Sequence, residues 1–120
     1  MIYKRILMSF LVLTSVVLSL NANATFSGGL EIMRVRVHAE GLVLFGASVQ
    51  PANTCSSWGE YFIFDHTTAS GKSLLSTLLT AKASGKTIQV WYINSTAVGT
   101  NQTSGCDSAT MAKVTGIALP

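Results

Sequence analysis

The sequence predicts a mainly β domain with one α-helix, held by one disulfide. Three observations carry this expectation. Short runs alternate apolar and polar residues, one stretch lengthens its period to that of a helix, and two cysteines follow an apolar N-terminal leader.

The N-terminal leader changes every bulk property. Lys4 and Arg5 precede an apolar run from Ile6 to Leu20, and Asn21-Ala22-Asn23-Ala24 closes it with a small-x-small cleavage signal. This is the layout of a secretory signal peptide. The run of 15 residues is shorter than the roughly 18 to 20 that span a bilayer, and no second apolar stretch follows. The expectation is cleavage after Ala24, a domain from Thr25 to Pro120, no membrane span, and a secreted or periplasmic location.

Without the leader, six basic residues (Arg34, Arg36, Lys72, Lys82, Lys86, Lys113) face five acidic ones (Glu31, Glu40, Glu60, Asp65, Asp107), a net charge of +1. A domain so close to neutral and lacking a basic stripe does not suit nucleic acid. In an exported chain, Cys55 and Cys106 most simply pair with each other. The bridge closes a loop of about 52 residues, worth roughly 4 kcal/mol in the chain-entropy view. Metal binding needs more ligands at close spacing, and none is present.

The elements follow in order. Leu30 to His38 alternates, with Met33, Val35 and Val37 on one side and Arg34, Arg36 and His38 on the other, which predicts a half-buried strand. Ala39-Glu40-Gly41 is a turn, and Leu42 to Val49 returns as a more apolar strand whose Gly46 suggests a bulge or bend. Gln50 to Ser57 is a loop. Trp58 to Asp65 is aromatic-rich and reads as the third strand. Thr67 to Ser70 offers helix N-caps. From Lys72 the apolar residues Leu74, Leu75, Leu78, Leu79 and Ala83 form a helical stripe, with Gly85 as the stop. Thr87 to Ile93 is the fourth strand, Asn94 to Thr110 a long polar loop, and Met111 to Leu119 the closing strand.

Three strands, a helix and two strands are the order of a five-stranded Greek-key barrel of the OB-fold type, with its helix between strands three and four. The rival arrangement is an α+β sheet covered by one helix.

Catalytic chemistry is poorly supplied. Asp65 and His66 are neighbours on a predicted strand and so point to opposite faces. No G-x-S-x-G elbow is present, and Gly71-Lys72-Ser73 lacks the first glycine of a phosphate loop, that position being His66. The chain is not expected to be an enzyme, and no cofactor or metal is implied. Aromatic residues are the better recognition candidates. Trp91 and Tyr92 are adjacent on one strand, so one can face solvent, and an exposed ring suits stacking on a sugar face or another subunit. Trp58 shares that ambiguity.

Phe26-Ser27-Gly28 and the stretch from Ala81 to Tyr92, AKASGKTIQVWY, resemble segments of the OB-fold B subunits of bacterial AB-type toxins, in particular the subtilase-cytotoxin B subunit and its typhoid- and pertussis-toxin relatives. The resemblance implies a secreted, ring-forming protein, pentameric in that family. It implies binding to a cell-surface glycan, often sialylated, and a possible toxin A subunit as partner. It also implies glycan contacts at Ser27 and at Tyr92, the second of two adjacent aromatics, with Trp91 beside it. Weak single sites would gain from a ring of copies. The alternative is an exported interaction or structural domain of the same fold without a sugar site.

Overall fold

The computed structural model describes residues 24–120. The expected signal peptide therefore lies outside the described residues, apart from Ala24, which begins the first strand. Six strands and one helix follow: β1 (Ala24–Leu30), β2 (Ile32–Val37), β3 (Leu42–Ala47), β4 (Phe62–Asp65), α1 (Ala69–Ser84), β5 (Ile88–Ile93) and β6 (Ala112–Ala118). Among the described residues no helix is long and apolar enough to cross a membrane.

The six strands form one sheet in the order β1-β5-β6-β4-β3-β2. Every pairing is antiparallel except β4 with β6, which is parallel. β1 and β2 stand at opposite ends of this order, yet only Glu31 separates them in the chain. Leu30 pairs with Ile88 of β5, while Ile32 pairs with Ala47 of β3. One continuous run of backbone thus serves both ends of the sheet.

Five strands were expected and six are present. The expected strand Leu30–His38 is instead the second half of this longer run. Its first half went unread because Ser27-Gly28-Gly29 lacks strand formers. Those glycines bend the backbone: Gly28 and Gly29 together oppose the single residue Gln89, and Gly29 sits at φ 64°, as a β-bulge with a left-handed residue requires. A second bulge lies at Met33–Arg34, directly opposite Gly46. The bend expected at Gly46 is therefore carried by its partner strand. Gly46 itself admits the Gly59 carbonyl, which would lie 2.3 Å from an added Cβ.

The alternation expected in β2 holds for Val35, which packs on the core. Met33 in the bulge and Val37 at the strand's end are half-exposed. β4 is shorter than expected, because Ser57 to Glu60 forms a turn before it. α1 starts on Thr68, whose hydroxyl accepts from Gly71 N–H at 2.9 Å, and stops at Gly85 with φ 66°. Its buried residues are Gly71, Leu78 and Ala81. Leu79, expected in the apolar stripe, is largely exposed.

The main core gathers Leu30, Ile32, Val43, Phe45, Phe62, Phe64, Ile88, Val90, Tyr92 and Val114 with Leu78 and Ala81 of the helix. A second, smaller core lies on the other face of β3 and β4, where Leu44, Ile63 and Met111 pack under the Cys55–Cys106 disulfide. This is why β3 and β4 read as nearly continuous apolar runs: both of their faces are covered. The bridge, with Cα atoms 5.8 Å apart, joins two long loops that also meet through Ser56 N–H to Thr100 O (2.9 Å) and Gly99 N–H to Thr54 O (3.1 Å).

Candidate functional site

The residues singled out in sequence come together on two paired strands. β1 lies antiparallel to β5, with Thr25 opposite Tyr92, Phe26 opposite Trp91 and Ser27 opposite Val90. Segments some 65 residues apart in the chain are thus in register. Because successive side chains alternate between faces, this register also separates them. Phe26 and Trp91 share the outer face, whereas Thr25, Ser27, Val90 and Tyr92 share the inner one.

Tyr92 is 1% exposed. Its ring meets Phe62 edge-on at a centroid distance of 4.8 Å, and its hydroxyl donates to the Ala52 carbonyl at 2.6 Å. Burial pushes the hydroxyl's pKa above the ordinary tyrosine value. The Tyr92 ring faces the core, since β5 turns its even-numbered residues inward. Ser27 is half-buried on the same inner face. The outward member of the aromatic pair is Trp91.

Trp91 is 42% exposed and Phe26 51%. Their rings lie 5.0 Å apart at 45°. Each ring extends over a glycine. A Cβ on Gly116 would lie 3.4 Å from Trp91 Cε3, and one on Gly28 would lie 3.3 Å from Phe26 Cζ. With no side chain beneath them, the rings can lie low on the sheet and turn flat surface toward solvent. Ile93, 46% exposed, extends the patch. A cleft of about 270 Å³ runs along it, and the hydroxyl-bearing Thr25 and Thr115 are in its lining.

The upper end of the cleft is held by a polar chain. Thr25 Oγ1 bonds Asn94 Oδ1 and accepts from Asn53 Nδ2 at 3.1 Å. Sequence reasoning did not single out Thr25, Phe26 as a ring, Ile93 or Thr115. Strand alternation around Trp91 could have pointed to Ile93, but the others depend on which strands become neighbours. Among the described residues no group of three or more His, Cys, Asp or Glu could hold a metal ion.

No protein-family model matches the chain, and neither a curated protein nor a solved structure gives a significant match.

Proposed function

We propose that the chain is an exported glycan-binding protein of the toxin-B-subunit type, built on an OB-type barrel and acting as a ring of copies. The barrel reading is supported by the strand order. β1 and β2 act as one bent strand at both ends of the sheet, β4 and β6 run parallel, and the helix falls between β4 and β5. That order is consistent with a five-stranded Greek-key barrel whose first strand is split. The disulfide suits an oxidising compartment.

The observation that carries the sugar reading is the Phe26–Trp91 ring pair lying over Gly28 and Gly116. Flat apolar rings with low rotamer entropy stack on the C–H face of a sugar, and the hydroxyl of Thr115 can donate to or accept from its hydroxyl groups. Ser27 and Tyr92 enter this reading from the opposite face. Tyr92 anchors β5 so that Trp91 points outward, and Ser27 supplies a hydroxyl only to a ligand that reaches the inner rim of β1.

A glycan array with the purified oligomer tests the reading. Binding is expected, and Trp91→Ala is expected to weaken it about tenfold, the loss of one stacking contact. An array without signal, or one unchanged by Trp91→Ala, overturns it. Tyr92→Phe is expected to cost about 1 kcal/mol of stability through the lost bond to Ala52, read as a lower denaturation midpoint, with the glycan profile intact.

The apolar character of Phe26, Trp91 and Ile93 favours a second reading, an interaction domain whose patch meets another copy of the chain. In that case Trp91→Ala lowers the particle mass in light scattering and leaves no glycan signal to lose.

A further inference from the structure

Ser57 to Glu60 closes a two-residue hairpin, with backbone hydrogen bonds of 2.9 Å in both directions between Ser57 and Glu60. Trp58 and Gly59 occupy its centre at φ 55° and 79°. Two successive left-handed residues make a type I′ turn, whose first position favours Asn, Asp or Gly. Tryptophan at that position is strained backbone. Burial does not offset the strain, because Trp58 is 68% exposed, the most open large apolar side chain among the described residues. An indole held in an unfavourable conformation and left in water contributes nothing to folding that Asn would not supply better. Such a conflict between local preference and structure is expected at functional or strained sites.

The turn that carries the ring is tied to its neighbours. The Trp58 backbone N–H donates to the Gln102 side-chain oxygen at 2.8 Å, and Gln102 belongs to the loop tied down through Cys106. The next residue but one, Glu60, is fully buried and pairs with Arg36 (Nε to Oε1 2.9 Å) and with Arg34 (3.6 Å). This ion pair anchors the foot of the turn and holds the Arg36 side chain against it. Between the turn, the end of β2 and the long loop lies a groove of about 310 Å³. Trp58, Gln102, Arg36, His38, Glu40 and Asp107 line it.

The lining selects a class of ligand. Arg36 is already paired with Glu60, and Glu40 and Asp107 add two carboxylates to the lining, so the groove does not concentrate positive charge as a polyanion site does. It sets the Trp58 side chain among hydrogen-bond donors and acceptors. A neutral sugar has that pattern: its C–H face covers the indole, its hydroxyls donate to Glu40 and Asp107, and its oxygens accept from Arg36 and Gln102. The volume is near the lower end of small-molecule sites, about 300–1,000 Å³, which suits a short saccharide. We propose that the Trp58 groove is a binding site for uncharged hexoses. It uses none of the residues of the Phe26–Trp91 cleft and does not depend on that cleft binding anything.

The two indole N–H signals of the ¹⁵N-tryptophan-labelled protein, disulfide intact, report the two sites separately. Glucose, galactose and N-acetylglucosamine are titrated singly, with oligothymidylate as the competing ligand class. At least one sugar is expected to shift the Trp58 signal saturably, with the Trp91→Ala variant giving the same curve. Trp58→Asn suits the turn, so it is expected to raise the melting temperature while weakening sugar affinity, followed by isothermal titration, about tenfold. The proposal is overturned if no sugar moves the Trp58 signal, if only oligothymidylate does, or if the affinity survives Trp58→Asn. Shifts confined to Trp91 overturn it too, while leaving the cleft reading in place.

Discussion

Gly71 shows how a single residue can be dictated from outside its own element. It lies in the first turn of α1, where alanine is the better helix former by about 1 kcal/mol. Yet a Cβ at this position would fall 1.7 Å from the Asp65 carbonyl oxygen and 2.8 Å from its carbon. Backbone cannot yield as a flexible side chain does, and overpacking of this kind costs about 1–3 kcal/mol or more. The clash outweighs the propensity. Gly71→Ala is expected to lower the denaturant midpoint by an amount within that range, although a helix scale alone ranks it as stabilising. The Gly-Lys-Ser triplet is thus explained by helix-to-strand contact, without a phosphate.

At the scale of elements, the passage from β4 into α1 is a chain of local bonds. Asp65 Oδ1 accepts from the Thr67 hydroxyl at 2.6 Å and from the Thr67 N–H at 2.8 Å, and the Thr68 hydroxyl then caps the helix. The Thr67 hydroxyl, followed by the Thr67 N–H, holds the Asp65 carboxyl below its ordinary value of 3.8, more than slight desolvation raises it. Because the folded-state pKa is the lower one, this contribution is complete above the ordinary carboxylate range and is lost as pH falls through the folded value. Denaturation midpoints measured from neutral pH down into the acid range are expected to fall. Asp65→Asn is expected to flatten the acid limb. Thr68→Ala is expected to remove about 1 kcal/mol at every pH, the usual cost of losing an N-cap.

For the whole molecule, the disulfide is the one covalent link between distant loops among the described residues. Cys55 and Cys106 are 51 residues apart. Their bridge spans β4, α1 and β5 and clamps two loops onto Leu44, Ile63 and Met111. Closing a loop of that length is worth about 4 kcal/mol, more than any single side chain discussed above. Cys55→Ala/Cys106→Ala is expected to lose stability of that order in denaturant titration. Its hydrogen exchange is expected to rise first in residues 50–60 and 94–110. β1, β5 and β6, in which β5 pairs with both of the others, are expected to keep their protection longer.

Much of this architecture is already legible in the chain. Alternation marks most of the strands, the change of period marks α1, Gly85 marks its end, and two cysteines in a chain with a leader-like start predict their own pairing. These are short-range signals. They report that a strand has two faces without saying which one turns inward. They locate Trp91 beside Tyr92 and leave open which ring enters the core. Tertiary structure alone decides that β1 lies against β5, that Ser27 and Trp91 fall on opposite faces, and that the bulges at Gly28–Gly29 and Met33–Arg34 let one strand serve both ends of the sheet. It also decides that Glu60 is buried between two arginines beneath an exposed Trp58. The reason is register: pairing across some 65 residues sets every neighbour at once, and no window along the chain contains it.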